Sequence, residues 1–468
     1  MRGAACPCHA APAAPDMTAI ATARAQERDL GDIYLRALAG LLVGYAFLGK
    51  GFAYFGIPPL FVGEMLFLGG LVMLLRSGCL LATCTAFPNL VLLILAGWVV
   101  TRTVPFLGIH GVDAIRDSVV VLYGAFAFVV CSLVIEKPGR LADALRFLGT
   151  FSLAFGASGG LLYVLSTTSL FSVITWPDGA LPIMSIRSGE VASHLAGAAL
   201  YGLLLRRRAG VAWTVLLLLG IGAVSAQSRG GMLAIIVPVA IAAVISGRLA
   251  RLTRIVVVLG LLFSTSLALQ LEFEFGRVDE RTGGAEARVV SAEQFLTNAL
   301  SILDDQGPAE LSGPKQWRLM WWGKIQDYTL HGPYFWTGKG FGIGLAEDDG
   351  FVVWEGEGQT TVRSPHNANI TMLARAGVPG LTLWIFLMLS WFAMMLRSML
   401  EARRRGEEEW ANAFLYIGCY LLGILVDSSF DVALEGPMLG IWFWCLFGLG
   451  VGASLVYRAA GSETAARR

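Results

Sequence analysis

Charge is what this chain has least of. Only 15% of its 468 residues are Asp, Glu, Lys or Arg, while 56% are hydrophobic and mean hydropathy is +0.65, a balance outside the range of soluble globular proteins. Lys and Arg number 35 against 34 Asp and Glu, for a net charge of +1. The positive residues recur in short clusters between apolar runs and form no single basic surface, so nucleic acid is excluded as a partner. Cysteine is also sparse: there are seven, none in a CxxC pair, with Cys79, Cys131, Cys419 and Cys445 in or beside apolar runs and Cys84 in a connector, so no disulfide is expected. Cys6, Cys8 and His9 lie among Ala and Pro without the further ligands a zinc site needs, and read as a tail. Residues 1–30 lack the apolar core of a secretory signal, which leaves insertion to the first membrane helix. Met17 is an alternative start, so residues 1–16 are treated as an uncertain leader. No 20- to 50-residue repeat and no match between the two halves is visible.

Long apolar runs are what remains. At 1.5 Å per residue, runs able to cross about 30 Å of hydrocarbon occur near 33–49, 59–75, 87–104, 117–135, 141–165, 190–206, 211–226, 231–247, 253–271, 367–397, 410–427 and 434–457. The expected fold class is therefore an all-α polytopic membrane protein of about twelve spans. Its parts are a cytoplasmic N-terminal tail (1–32), a transmembrane unit (33–457) and a cytoplasmic tail (458–468). With the N-terminus inside, Arg24, Arg28, Arg76, Lys137, Arg140, Arg206 to Arg208, Arg248, Arg251, Arg254, Arg403 to Arg405, Arg467 and Arg468 all fall on one side. That consistency places both termini in the cytoplasm of a multi-pass membrane protein, with membrane lipid as its solvent.

The long connection 272–366, between spans nine and ten, is then extracytoplasmic, with Glu272, Glu274, Asp304, Asp305, Asp348 and Asp349 among its acidic residues. Trp317, Met320, Trp321, Ile325 and Tyr328 recur at helical spacing. The pattern predicts short helices in this loop, one lying along the outer surface with its aromatic face in the lipid boundary.

Three stretches at the outer boundary carry chemistry. Ser228-Arg229-Gly230-Gly231 opens a span: Ser228 caps the helix, Arg229 sits at its positive end, and Gly230 lets a bulky phosphate approach the backbone. Arginine grips a diphosphate through paired hydrogen bonds, although a snorkelling interfacial arginine explains Arg229 equally well. Arg318 stands three and four residues before Trp321 and Trp322, which would flank and shield it; an aromatic belt with an incidental arginine is the plainer reading. His366, in Ser364-Pro365-His366-Asn367-Ala368-Asn369, is the one histidine framed by polar residues at an outer boundary, where imidazole can take a proton from a hydroxyl and Asn367 or Asn369 can orient a sugar. A helix-capping role is the alternative. Gly338-Lys339-Gly340-Phe341-Gly342 lacks the Ser or Thr of a Walker loop and reads as a tight turn. Asp427, Asp431 and Glu435 read as caps and solvated ends, or as sugar-hydroxyl ligands. Glu64 is the clearest charge inside a span; a proton-coupled transporter usually shows more.

The order of these pieces resembles the O-antigen ligase and O-antigen polymerase superfamily. Ser228-Arg229-Gly230 opens a helix, and Arg318 and Trp321 then lie in a large loop. His331-Gly332-Pro333, the Gly338–Gly342 turn, His366-Asn367, Ala376-Gly377-Val378-Pro379-Gly380 and the late Glu435-Gly436-Pro437 follow. The resemblance implies an undecaprenyl-diphosphate-linked glycan as donor and a glycan or lipid as acceptor. It also implies inverting transfer at the outer face without metal or other cofactor, the arginines holding the diphosphate and the histidine activating the acceptor. On this sequence it assigns Arg229, Arg318 and His366 to catalysis, with Ser228, Gly230, Arg288, Asn367 and Asn369 as substrate-binding residues; Arg281 and Arg363 compete with Arg288 for the role of a further loop arginine. The alternative function is a lipid-linked oligosaccharide transporter.

Overall fold

Helix makes up about 80% of the computed structural model, which describes residues 29–57, 60–168, 174–175, 182–205, 210–270, 272–275, 278–279, 284–285, 288–291, 309–351, 353–355, 358–360 and 362–466. In chain order the principal helices are α1 (Leu30–Leu48), α2 (Val62–Ser77), α3 (Phe87–Thr103), α4 (Val112–Leu122), α5 (Ala125–Glu136), α6 (Gly139–Ser166) and α7 (Ser188–Leu204). They continue as α8 (Val211–Gln227), α9 (Arg229–Ile245), α10 (Leu249–Ala268), α11 (Ala309–Leu330), α12 (Ala368–Arg404), α13 (Glu408–Asp427) and α14 (Pro437–Ala466). Four small antiparallel hairpins complete the fold, the largest pairing Glu272–Phe275 with Arg288–Ser291. Three of them lie in the long connection, where only short helices were expected.

The expectation of an all-α polytopic membrane protein holds. Among the described residues six helices are long and apolar enough to cross a membrane, and α4 with α5, bent by 42°, makes a seventh if the pair is one span. Four of the remaining helices expected to be spans, α2, α7, α8 and α9, have 16 or 17 residues and reach about 25 Å, just short of the hydrocarbon thickness.

Helix α14 is the centre of the bundle: 94% of its apolar stretch is buried. The large indoles inside satisfy their N–H groups on backbone carbonyls, Trp391 on Phe447 at 3.0 Å, Trp442 on Leu42 at 2.9 Å and Trp444 on Val120 at 3.1 Å. A buried tryptophan needs such a partner. Leu68, Val72, Leu93, Leu216, Leu219 and Ile236 face outward on the periphery, as lipid-facing residues do. Where α6 crosses α8, a Cβ on Gly160 would come within 2.1 Å of the Gly220 Cα, so only small residues permit the approach.

Helix ends gather at two poles. At one, the residues after α1 bond to the start of α7, Lys50 N–H to Ser185 O at 2.8 Å, and the first residue of α12 bonds to the last turn of α13, Ala368 N–H to Ser428 O at 2.8 Å. At the other, the start of α1 meets the α5–α6 turn through Lys137 and Asp32, 2.9 Å apart.

The extramembrane helix α11 corrects one expectation. Its aromatic face does not lie against lipid: Trp321 and Ile325 are fully buried with Leu345, Ala346, Leu373 and Ala374, and Trp317, Tyr328 and Phe351 close over them. The cap thus has its own core, seated on the first turns of α12, and Leu319, Met320 and Leu330 are among the residues α11 exposes.

Candidate functional site

The connection between α13 and α14 is a short turn from Ser428 to Gly436, and three distant parts of the chain converge on its Phe430 and Asp431. Ser228 caps α9 by accepting a hydrogen bond from the Gly231 N–H at 3.0 Å, which fixes Arg229 as the first helical residue. Gly230 lies against the turn so closely that a Cβ there would stand 2.8 Å from the Phe430 Cβ. From α11, the Arg318 guanidinium donates to the Phe430 carbonyl at 2.9 Å. From the segment before α12, the His366 Nδ1 faces Asp431 Oδ1 at 3.3 Å. His366 holds a left-handed backbone, φ +54°, a conformation that costs energy for a non-glycine residue and is kept where surrounding contacts enforce it.

A further cation was missed by sequence reasoning. Arg187, just ahead of α7, stands 4.0 Å from Asp431 Oδ1 with its side chain 43% exposed. Lys50 is near enough for the Arg187 charge to depress its ammonium: burial acts first, Arg187 and Arg116 add to it, and Glu190 opposes. The legible signal was Arg187 three residues before Glu190 at a helix start, where the Glu190 carboxylate accepts from the Arg187 N–H at 3.4 Å.

Electrostatics tie the group together. Burial alone would raise the Asp431 carboxyl, but the His366 hydrogen bond, the Arg187 charge and the Val432 N–H together hold it below the usual carboxylate range. Arg318 is lowered, first by burial and further by the neighbouring Arg229, with Asp431 opposing. Two guanidiniums that repel each other across a buried pole form a site that gains when an anion arrives. With Asp431 ionised and accepting from Nδ1–H, the imidazole lone pair is placed on Nε2.

The Oδ1 atoms of Asn367 and Asn369 are engaged within the fold. The Asn367 Oδ1 caps α12, accepting from the N–H groups of Asn369 at 2.9 Å and Ile370 at 3.2 Å, and the Asn369 Oδ1 accepts from the Trp384 indole at 3.0 Å. The helix-cap role that the sequence offered for His366 falls to Asn367 instead. Nor do Trp321 and Trp322 clamp Arg318: Trp321 donates to Asp349 at 2.8 Å and Trp322 to the Pro365 carbonyl at 2.7 Å. Trp322 thereby steadies the segment that presents His366. Glu435 is neither a cap nor solvated; it accepts from Ser364 at 2.7 Å and Thr371 at 2.8 Å. Its carboxyl is raised by burial against the opposing pull of Arg375 and those hydroxyls.

Arg363, one candidate for the further loop arginine, is committed elsewhere. It contacts Asp117 at 3.0 Å and Asp113 at 3.2 Å, and the same Asp117 pairs with Arg375 at 3.0 Å, with side chains 7% and 1% exposed. Arg281 and the side chain of Arg288 lie outside the described residues. Around Arg375 the helix α12 breaks at Gly377, φ +70°, which frees carbonyls that need donors. The Gly338–Gly342 turn supplies them: Lys339 N–H bonds Ala374 O at 2.7 Å and Gly340 N–H bonds Arg375 O at 3.0 Å. The Trp98 indole takes Ala376 O at 2.9 Å. Gly338 itself has φ +59°, and a Cβ would meet the Arg375 backbone at 2.4 Å. The turn expected from sequence is therefore a plug for a broken helix. Among the described residues no group of three or more His, Cys, Asp or Glu is gathered as a metal site requires.

No curated protein matches the chain. The region running from α8 through the break in α12 carries Arg229, Arg318, the glycine turn and His366, the motifs on which the resemblance rests. Residues 214–385, which hold all of these, match the family model described as O-antigen ligase, in support of the O-antigen ligase and polymerase superfamily and of an enzyme of surface glycan biosynthesis.

Proposed function

We propose that this chain transfers or polymerises undecaprenyl-diphosphate-linked glycan at the outer face of a bacterial inner membrane, through an inverting and metal-independent displacement. The observation that carries the reading is the convergence of Arg318, Gly230 and His366 on one turn, Phe430–Asp431, from segments more than a hundred residues apart in places. The proposed topology has twelve spans, counting α4 with α5 as one and setting α11 apart, with both termini cytoplasmic and the Asp431 pole outside.

In this reading Arg229 and Arg318, with Arg187 beside them, hold the donor diphosphate. The helix end capped by Ser228 adds its N–H groups, and Gly230 leaves room for the phosphates. The acceptor hydroxyl gives its proton to the His366 Nε2 as its oxygen attacks the anomeric carbon from the side opposite the leaving group. The carbon–oxygen bond to the diphosphate breaks, and the configuration inverts. Charge growing on the diphosphate is met by fixed guanidiniums, while Asp431 steadies the imidazolium, as a carboxylate does for a catalytic histidine. The activated lipid supplies the driving energy.

The test is transfer in reconstituted membranes with lipid-linked glycan and acceptor. Arg229→Ala, Arg318→Ala and His366→Ala each abolish product while membrane insertion is retained; full activity in these variants contradicts the reading. Passage of labelled donor across the vesicle without a change in its linkage would instead indicate a transporter.

A further inference from the structure

A cavity lies at the pole opposite Asp431. It has a volume of about 690 Å³ and opens between α1, α6 and α14, within the range of small-molecule sites. Its mouth is formed by the start of α1 and the α5–α6 turn. Four cations stand there: Arg36, Lys137, Arg140 and Arg146. They are not equivalent. Arg140, 2% exposed, is spent on Asp29 at 2.6 Å, Asp32 at 2.7 Å and Glu136 at 2.6 Å, and Lys137 is spent on Asp32 at 2.9 Å. That network ties α1 to α6 and forms the rigid rim. Arg36 is exposed, and Arg146 is 51% exposed and shares its charge only with the still more exposed Asp143 of its own helix. Both line the cavity without taking part in the ion-pair network of the rim. Beyond the mouth the lining turns apolar: Leu38, Leu42, Leu446 and Leu449 lead to the buried face of Trp442.

A basic mouth over an apolar shaft, opening sideways between membrane helices, matches one class of molecule, a lipid with an anionic head and a hydrocarbon tail. We propose that this cavity binds an anionic phospholipid of the inner leaflet, with Arg36 and Arg146 on its phosphate and one acyl chain along α14. Charge selects the occupant: arginine engages a phosphodiester with paired hydrogen bonds, and a zwitterionic lipid brings beside the same phosphate a cationic group that the two guanidiniums repel, whereas a net-anionic head does not. The inference is independent of the glycan-transfer reading, since none of these residues lies near Asp431.

The experiment uses the full-length protein in detergent, with bound lipid counted by native mass spectrometry after addition of phosphatidylglycerol or phosphatidylcholine. The wild type retains phosphatidylglycerol preferentially. Arg36→Gln with Arg146→Gln lowers its affinity by about 10- to 30-fold and removes the preference, while the rim stays intact. Ala39→Phe, which fills the shaft without altering charge, lowers occupancy by both lipids. Equal retention of the two lipids, or equal phosphatidylglycerol binding in the wild type and the double variant, means ordinary boundary lipid and overturns the proposal. Binding that appears only when residues 1–28 are removed overturns it as well, by assigning the cavity to that segment.

Discussion

Two arginine clusters lie on the same side of this protein and have opposite character. Around Asp117, Arg375 and Arg363 are paired at 3.0 Å, and Arg375 spends its remaining donors on the carbonyls of Ile343 and Arg363 at 3.1 Å. Arg375 and Asp117 are shielded from water within this cluster. Around Asp431, Arg187 keeps a distance of 4.0 Å at 43% exposure, and Arg318 reaches a neutral carbonyl with Arg229 close by. The first cluster is closed on itself by short ion pairs, whereas the second keeps Arg187 partly exposed and Arg318 on a neutral carbonyl. The difference separates two kinds of arginine that look alike in the sequence.

The comparison is broken or sharpened by substitution. The largest effects belong to the Asp431 pole: His366→Ala is expected to lower glycan transfer by about 10²- to 10⁴-fold and Arg318→Ala by about 10²- to 10³-fold, measured as product per inserted molecule, with thermal stability almost unchanged. The converse is expected of Arg375→Gln, which leaves Asp117 to Arg363 alone and costs about 1–3 kcal/mol of stability, read as a lower unfolding temperature in detergent. If Arg375→Gln left stability intact and removed only donor binding, the distinction between the clusters would fail. Gly338→Ala, forced to φ +59° against the Arg375 backbone, should cost about 1–3 kcal/mol by the same measurement. The smallest effect concerns pH. Because the Asp431 carboxyl is held below its ordinary value, its pairing adds stability that is complete above the unfolded carboxylate pKa and lost as pH falls through the lowered one. In Asp431→Asn that acid-side loss disappears, which unfolding temperatures followed down to pH 3 would register.

Hydropathy made the helices legible: the apolar runs near 141–165 and 410–427 become Gly139–Ser166 and Glu408–Asp427. Local rules also found the Ser228 cap and the Gly338 turn, because each depends on neighbours a few residues away. What the sequence concealed were pairings across great separation. Asp117 meets Arg375 and His366 meets Asp431 only after folding, and nothing at position 117 or 431 marks the partner. Arg363 therefore competes in the sequence with Arg281 and Arg288 for the place of a further loop arginine, and only the structure gives it its carboxylates while Arg318 faces a carbonyl. The aromatic face of α11 misled for a related reason. Tryptophan at helical spacing fits a lipid boundary and a small protein core alike, and only the arrival of Leu345, Phe351 and Leu373 decides between them.

Binding of undecaprenyl diphosphate, without sugar or acceptor, is the most direct test of the Asp431 pole as the donor site. In reconstituted membranes the wild type should bind it, the double variant Arg229→Ala with Arg318→Ala should bind at least a hundredfold more weakly by the charge-assisted contacts removed (about 1.5–3 kcal/mol each), and Arg36→Gln at the opposite pole should bind as the wild type does. Undiminished binding in the double variant would contradict the account.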